Sequence, residues 1–321
     1  MFKDEQEVFY TELEPFMYRL EEVQRNTSWK FIPAKDLSIG SSESFSWVLD
    51  DQEPIRNHAL SSLYQRLGLG GKIMDRLSND ALHEIVNFGI EHAPKSTLRI
   101  PIVEGKVNAF LSNQYSSLPA IKVFEEVVKF LNEKAEGFTF NGVWSYIAAT
   151  GEFHLPLKKM VDGVPYSTVL VAKTSDAGFS SVNFSAYLDN GSYKLPIMSD
   201  LSLIHKGIDE EKLIKLIKML DGAIDTGVKK LNHLLLVNIY NPKATMKRVA
   251  KKVNLPKKDT LQLIEEYEPT VVNTAFDLYM QLSKLLNNTN GWSQKEKLQG
   301  DLYKLLSLDW GSYDLAGDYP W

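Results

Sequence analysis

The chain has 321 residues, of which 44% are hydrophobic and 11% aromatic, which is enough for a substantial core. A net charge of −5 argues against a protein that coats nucleic acid with its whole surface, although it does not exclude a local basic groove. The absence of cysteine excludes disulfides, thiolate metal sites and a cysteine nucleophile. The first residues are too polar for a signal peptide, and no apolar run approaches the roughly 18 residues of a membrane span. We therefore expect a cytoplasmic protein that makes no membrane contact.

The N-terminal region begins with a helical pattern and continues with an extended one. Apolar residues at helical spacing predict a helix over residues 4–24, which Pro15 should kink or split. Residues 29–50 look extended, because aromatic and apolar residues alternate there. Three short helices are predicted next, at residues 54–67, 70–77 and 79–92.

The middle of the chain predicts an antiparallel sheet. The clearest hairpin covers residues 96–113 and turns at Glu104-Gly105, and a helix over 119–135 follows it. Residues 137–198 are rich in aromatic and β-branched residues, which predicts four or five strands. The breaks that we expect between them are Gly142, Gly151, Asp162-Gly163, Ala177-Gly178 and Asn190-Gly191, the last being a strong signal for a two-residue hairpin.

Helical periodicity dominates from residue 209 onward. The predicted helices lie at 209–240, 243–253, 257–267, 270–287 and 293–306, and Gly222 or Gly227 should break the first. The fold class is therefore α+β, with an antiparallel sheet, helices on one of its faces and a helical C-terminal part. We predict an α+β body over 1–205, a helical subdomain over 206–307 and an acidic aromatic tail over 308–321.

Two segments look like catalytic motifs but lack essential positions. The run Gly68-Leu-Gly-Gly-Lys72 would need a glycine at Arg66 and a hydroxyl residue at Ile73 to be a phosphate loop, so a glycine helix cap is the better interpretation. The pair His83-Glu84 lacks the second histidine of a zinc-protease helix, because Asn87 stands there. We predict no catalytic residue, no cofactor and no metal site.

A strongly basic segment lies near the C-terminal end. Seven basic residues and no acidic residue lie between positions 243 and 258, and the segment resembles a helix–short turn–helix unit. A basic helical face can contact several phosphates of a nucleic acid. The predicted contact residues are Lys247, Arg248, Lys251 and Lys252. The alternative is a solvated face of a helical subdomain.

The tail over 308–321 contains three aspartates and no basic residue. It resembles the C-terminal tip of bacterial and phage single-stranded-DNA-binding proteins, where an acidic stretch ending in a proline and an aromatic recruits partner proteins. The resemblance implies a host or phage protein as partner, bound by an acidic and aromatic anchor. The anchor residues are Asp318, Tyr319, Pro320 and Trp321. The alternative is that the tail docks on this protein's own body.

A longer pattern covers residues 50–240 and is most specific over 54–118. It consists of a helical Leu-Gly segment, an Asn-containing helix, a hairpin with an arginine and a Ser-x-x-Tyr ending, and a later His-x-Gly segment. The matching residues are Leu67-Gly68, Asn87, Leu98-Arg99, Ser112, Tyr115 and His205-Lys206-Gly207. This pattern resembles the phage- and plasmid-borne family of domains of unknown function numbered nine-three-two. The resemblance implies a bacteriophage or mobile-element context, near genes for DNA replication or recombination, and no established catalytic residue.

Two residues of that pattern are candidates for nucleic-acid contact. Arg99 could reach a phosphate and Tyr115 could stack on a base, while the alternatives are an ion pair within the hairpin and a core position. Further candidate stacking platforms, each with a core position as the alternative, are Phe138, Phe140, Trp144 and Tyr146.

Three hypotheses of function remain. The first is a phage or mobile-element protein that binds nucleic acid, such as single-stranded DNA, in replication or recombination. The second is a non-enzymatic protein-interaction factor that acts on a host or defence pathway through its tail. The third is an enzyme with an unfamiliar site. Nothing in the sequence predicts an oligomeric state.

Overall fold

The computed structural model describes residues 6–41, 47–50, 52–70, 74–116, 118–135, 137–205, 207–289, 291–317, 319 and 321. The elements of the N-terminal half are β1 (Val8–Tyr10), α1 (Leu13–Arg25), β2 (Thr27–Pro33), β3 (Ile39–Gly40), β4 (Val48–Leu49), β5 (Glu53–Pro54), α2 (Asn57–Arg66), α3 (Asn79–Glu91), β6 (Thr97–Val103), β7 (Lys106–Val107), β8 (Leu111–Ser112) and α4 (Ala120–Lys134). Those of the C-terminal half are β9 (Thr139–Trp144), β10 (Ala149–Val161), β11 (Val164–Thr174), β12 (Val182–Asp189), β13 (Lys194–Leu203), α5 (Glu210–Lys218), α6 (Leu220–Leu234), β14 (Asn238–Ile239), α7 (Pro242–Lys252), α8 (Lys257–Glu265), β15 (Asn273–Thr274), α9 (Ala275–Ser283) and α10 (Trp292–Leu305).

The largest sheet in the described part of the chain is antiparallel, with the order β1-β9-β10-β11-β12-β13. The α+β class is therefore confirmed. Asp162 and Gly163, with φ angles of 50° and 71°, form the two-residue turn between β10 and β11. The turn at Asn190-Gly191 is wider than predicted, because Asn190 Oδ1 accepts hydrogen bonds from the amides of Ser192 and Tyr193 and closes a four-residue loop.

Two of the predicted breaks lie inside strands. Gly142 of β9 is directly opposite Gly151 of β10. A Cβ atom at Gly142 would lie 2.6 Å from the ring of Phe140, and one at Gly151 would lie 2.8 Å from the rings of Phe124 and Phe140. The glycines therefore make room for an aromatic cluster of Phe16, Phe124, Phe140 and Phe153 in the core, and they do not end a strand.

The N-terminal helix is shorter than predicted, and Pro15 does not kink it. Val8–Tyr10 pairs with β9 as an edge strand, so the helical spacing of these residues was misleading. Helix α1 begins at Leu13, which places Pro15 in its first turn. The amides of a first turn have no partner within the helix, so a proline costs nothing there.

A second sheet has the order β2-β6-β7, and β8 also pairs with β6. The predicted hairpin of residues 96–113 is confirmed: Ile102 pairs with Val107 across the turn at Glu104-Gly105, where both residues have a positive φ angle. The register shifts by one residue between β7 and β8, and β8 places Ser112 opposite Leu98. The hairpin part of the resemblance motif therefore lies on one small sheet.

The hydrophobic core divides the chain differently from the secondary structure. One buried cluster runs from Phe16 through the large sheet to Leu302 and Trp310, and so unites the sheet with the C-terminal helices. A separate cluster, from Ala34 to Phe110, lies between the second sheet and helices α2 and α3. The boundary predicted at residues 205–206 thus marks a change from strands to helices but no gap in the core.

The long helix predicted over 209–240 is divided into α5 and α6 at Met219, and neither predicted glycine breaks it. Gly227 instead lies against β13, where a Cβ atom would be 1.8 Å from the carbonyl oxygen of Ile197. Helix α10 also reaches across the edge strand β13. Its N-terminal half lies over the face of the large sheet opposite to the one that α6 covers.

Candidate nucleic-acid interface

The basic segment forms two helices that are fixed to the core. Helices α7 and α8 are joined by residues 253–256, and the turn uses Asn254 with a φ angle of 62°. The amide of Leu255 donates to the carbonyl of Ala250 at 3.0 Å and closes the turn. The apolar sides of the two helices are buried in the main core through Met246, Val249 and Leu263. This packing fixes the two helices so that their basic residues lie on the outer side.

The outer side of this helix pair carries positive charge that acidic side chains do not neutralise. Its exposed lysines are Lys243, Lys251, Lys252, Lys257 and Lys258. Across the described ranges, no carboxylate forms an ion pair with Lys251, Lys252 or Lys258. Because the chain as a whole has a net charge of −5, this positive patch stands out from the rest of the molecule. We call the five exposed lysines the α7–α8 basic surface.

The tail is anchored beside this surface by Asp314. Its carboxylate accepts hydrogen bonds from the amides of Tyr240 and Asn241, both at 2.7 Å, and thereby fixes the residues that lead into α7. Burial opposes ionisation, but these hydrogen bonds hold the pKa of Asp314 below its usual value. Arg248 donates to the carbonyls of Tyr313 and Leu315, at 3.3 and 2.7 Å. The tail is thus fastened to helix α7 and to the residues just before it.

The last residues of the tail contact the protein's own body. The ring centroid of Tyr319 lies 5.2 Å from both the guanidinium carbon of Arg248 and the ε-amino nitrogen of Lys251. Lys257 donates to a main-chain oxygen of Trp321 at 3.1 Å. The other two predicted anchor residues, Asp318 and Pro320, lie outside the described residues. The tail therefore occupies one flank of the α7–α8 basic surface, which agrees with the alternative interpretation of its sequence.

Arg99 and Tyr115 both take part in the hairpin's own architecture, and the phosphate contact of Arg99 stays a prediction. Arg99 donates a hydrogen bond to the carbonyl of Tyr115, and its guanidinium lies over the rings of Trp29 and Phe31, at 5.1 and 5.5 Å. The Tyr115 side chain is buried, and its hydroxyl donates to the carbonyl of Ser175 at 3.0 Å. A buried ring cannot stack on a base, so Tyr115 is no platform in this structure.

The motif residues nevertheless come together, although 106 positions separate Arg99 from His205 in the chain. The rings of Tyr115 and His205 are stacked with centroids 5.1 Å apart. The amide of Ser116 donates to the carbonyl of His205 at 2.8 Å, and the amide of Gly207 donates to the Ser116 hydroxyl at 3.0 Å. A pocket of about 200 Å³ opens beside this cluster.

The other predicted stacking residues serve the fold. Phe140 and Trp144 are buried in the main core, and Phe138 is half-buried against it. The guanidinium of Arg56 covers the ring of Tyr146 at 3.4 Å. These four side chains therefore have structural roles, which agrees with the alternative interpretation given from the sequence.

Both catalytic look-alikes have structural roles. Gly68 follows the end of α2 with a φ angle of 70°, which is the conformation of a glycine cap. The ring of His83 is stacked on that of Trp47, with centroids 3.9 Å apart. Groups of acidic and histidine side chains suited to a metal ion are absent from the residues that the structure describes.

A half-buried carboxylate that no sequence pattern singles out is Asp176, which lies on the loop between β11 and β12. Its Oδ1 accepts a hydrogen bond from the amide of Ala120, the first residue of α4, at 2.9 Å. Burial raises the pKa of Asp176 to about 6, against the smaller effect of that hydrogen bond. Because 56 residues separate the two partners, no local pattern could have predicted this pair.

Comparison with known proteins gave no relative: no family model, no curated protein and no solved structure matches this chain. The resemblance to the nine-three-two family therefore stays a prediction. Within the described ranges, none of the helices has the length and apolar character needed to cross a membrane.

Proposed function

We propose that this protein binds nucleic acid, such as single-stranded DNA, through the α7–α8 basic surface. The observation that carries the proposal is the set of exposed lysines without acidic partners among the described residues, on a helix pair fixed to the core, with Lys251, Lys252 and Lys258 as its centre. Lysines on such a surface attract phosphates whatever the base sequence, because each ammonium group acts as a point charge.

The geometry of the surface fits a phosphate backbone. Lys243 and Lys251 are eight residues apart on the outer side of α7, which corresponds to about 12 Å along a helix that rises about 1.5 Å per residue. That length spans several phosphates of one strand. Lys257 and Lys258 extend the surface onto the first turn of α8. In helix-turn-helix proteins, the first turn of the second helix faces the nucleic acid.

Charge reversal of the surface tests the proposal. The variant carries Lys251→Glu, Lys252→Glu and Lys258→Glu, and its affinity for a labelled oligonucleotide is measured by fluorescence anisotropy at low salt. We expect the affinity to fall by about tenfold or more, because three phosphate contacts become repulsive. Single-stranded and duplex oligonucleotides of the same sequence are compared in parallel, and the tighter complex identifies the preferred form.

The matched control variant changes the net charge by the same amount on a different part of the surface. Lys129, Lys218 and Lys229 are exposed lysines on α4, α5 and α6. Replacing these three by glutamate should leave the affinity within about threefold of wild type, because screening weakens the effect of distant charges. Equal losses in both variants would show a general charge effect and would refute the assignment to the α7–α8 basic surface. An absence of binding by the wild type at low salt would refute the proposed function itself.

A further inference from the structure

Tyr240 is the most exposed aromatic side chain in the described part of the chain. It is 83% accessible and stands two residues before Pro242, the first residue of α7. Large aromatic rings are usually buried or placed at interfaces, because contact of their apolar faces with water is unfavourable. A ring that stands this far out of the body is therefore a candidate contact for a ligand.

The backbone that carries this ring is fixed on two sides. The amide of Tyr240 donates a hydrogen bond to the Asp314 carboxylate at 2.7 Å. The preceding residue, Ile239, is buried and pairs with Asn273 of β15. The side chain itself has few rotatable bonds, so holding the ring against a ligand costs little conformational entropy.

Exposed apolar side chains lie on both sides of the ring. Val272 precedes the residue of β15 that pairs with Ile239, so the antiparallel register places it beside Tyr240. Leu315 follows Asp314, whose carboxylate accepts the hydrogen bond from the Tyr240 amide. Val272 and Leu315 are each more than half exposed. The ring thus belongs to a small apolar surface.

This apolar surface adjoins one end of the α7–α8 basic surface. Lys243 is three residues after Tyr240, so the Cα atoms of the two residues lie within about 11 Å of each other. Lys243 also donates to the carbonyl of Glu265, the last residue of α8, at 3.0 Å. A strand whose phosphates follow α7 from Lys251 to Lys243 therefore reaches Tyr240 with its next nucleotides.

The charges at this end of the helix pair favour a base over a phosphate at the ring. Glu265 and Glu266 are exposed at the end of α8 that Lys243 contacts. Their carboxylates repel a phosphate, whereas they do not repel an uncharged base. The faces of bases stack on aromatic side chains whatever the base sequence, because every base has a π-face.

We propose that Tyr240 is a stacking platform for an unpaired base, and that it makes single strands the preferred ligand of the α7–α8 basic surface. This inference rests on the proposed function, since the lysines hold the strand whose base contacts the ring. In a duplex each base is paired and stacked between its neighbours, so its face is covered. The bases of a single strand are free to stack on an exposed ring.

Tyr240→Ala tests the platform with single-stranded and duplex oligonucleotides of the same sequence. We expect the single-stranded affinity, measured by fluorescence anisotropy, to fall by about five- to 100-fold, and the duplex affinity to change by less than about twofold. The slope of log K against log salt should stay that of the wild type, because a lost base contact changes no phosphate contact. Equal losses for single strands and duplexes would overturn the proposal.

Conservative variants separate stacking from general apolar contact. Tyr240→Phe and Tyr240→Trp keep a flat ring, and they should bind single strands within about threefold of the wild type. Tyr240→Leu keeps apolar surface without a π-face, and it should lose most of the affinity that Tyr240→Ala loses. The matched control is Tyr18→Ala, at an exposed tyrosine on α1, which should leave the affinity unchanged. Thermal unfolding should show equal stability for all these proteins, because both tyrosines are exposed.

Photocrosslinking reports the contact directly. A single strand that carries 5-iodouracil is irradiated in complex with the full-length protein, and the crosslinked residue is located by mass spectrometry. We expect a crosslink at Tyr240, because the iodinated base lies against the ring in the proposed complex. Crosslinks at other aromatic residues with none at Tyr240 would overturn the proposal.

Failure of the platform and failure of the proposed function give different results. If reversal of Lys251, Lys252 and Lys258 abolishes binding while Tyr240→Ala binds single strands as the wild type does, the platform is refuted and the proposed function stands. The exposed apolar surface would then fit a protein partner better than a base. A loss in Tyr240→Ala without any loss on charge reversal would support the platform and refute these lysines as the phosphate contacts. Absence of oligonucleotide binding by the wild type would refute both.

Discussion

Arg99 holds the hairpin to its surroundings through its guanidinium group. It donates to the carbonyl of Tyr115 and lies over the rings of Trp29 and Phe31. Arg99→Gln should therefore lower the free energy of unfolding by roughly 1–3 kcal/mol, since a charge-assisted hydrogen bond and cation–π contacts are lost. Oligonucleotide affinity should stay within about twofold of wild type. Urea unfolding and fluorescence anisotropy measure the two quantities.

The control for this variant is Lys95→Gln, which removes an exposed positive charge just before β6. It should change neither stability nor affinity measurably, because a solvated surface lysine contributes little. A large loss of oligonucleotide affinity in Arg99→Gln with unchanged stability would contradict the structural role and would restore the phosphate contact that the sequence suggested.

Asp176 should make stability depend on pH in the opposite sense from most carboxylates. Burial raises its pKa to about 6 in the folded protein, whereas an unfolded aspartate titrates near pH ~3.9. Between these values the folded protein binds more protons than the unfolded chain. The contribution of Asp176 to stability therefore falls as the pH rises from about 4 to about 6, by roughly 1–3 kcal/mol.

Asp176→Asn removes this titration while its carboxamide oxygen can still accept the hydrogen bond from Ala120. Urea unfolding at about pH 4 and pH 7 should show that the wild type loses roughly 1–3 kcal/mol relative to the variant on going to the higher pH. Other carboxylates titrate equally in both proteins and cancel in the comparison. Parallel stability curves for the two proteins would show that the Asp176 pKa is not raised.

At the scale of elements, helix α7 and the tail form one unit. Asp314 binds the backbone just before the helix, while Tyr319 and Trp321 cover one flank of the α7–α8 basic surface. A chain ending at Leu315 would keep Asp314 and the carbonyl partners of Arg248, but it would remove the contacts of Tyr319 with Lys251 and of Trp321 with Lys257. We expect this truncation to tighten oligonucleotide binding about two- to tenfold, because the covered cations become available. Anisotropy titrations at one salt concentration measure the change.

Tyr319→Ala in the full-length chain is the milder comparison, and it should tighten binding less than the truncation does. Unchanged or weaker binding by both proteins would contradict competition between the tail and nucleic acid. It would then leave the docked tail with a purely structural role.

The elements that the sequence predicted correctly are those with strong local signals. The Glu104-Gly105 hairpin and the helix beginning near Pro119 follow from turn chemistry and apolar periodicity. The errors came from tertiary contacts: Val8–Tyr10 has helical spacing but pairs with β9, and Gly142 and Gly151 make room for aromatic rings, some of which lie far away in the chain. Local patterns carry no information on such partners.

At the scale of the whole molecule, one core unites the large sheet with the C-terminal helices, so the helices that carry the basic surface pack on the same core as the sheet. The sequence located this surface through its seven basic residues, because charge clustering is visible without a fold. It could not show that Asp314 and Tyr319 flank the surface, nor that His205 lies against Tyr115. These pairs are brought together only by folding of the complete chain.

The most direct test of the central claim is the salt dependence of oligonucleotide binding by the wild-type protein. Affinity is measured by anisotropy from about 50 to 200 mM salt, and the slope of log K against log salt reports the number of neutralised phosphates. With about four phosphate contacts to a single strand we predict a slope of about −3, reduced in magnitude by about 2 when Lys251, Lys252 and Lys258 are reversed. A slope near zero, or the same slope in wild type and variant, would contradict binding through the α7–α8 basic surface.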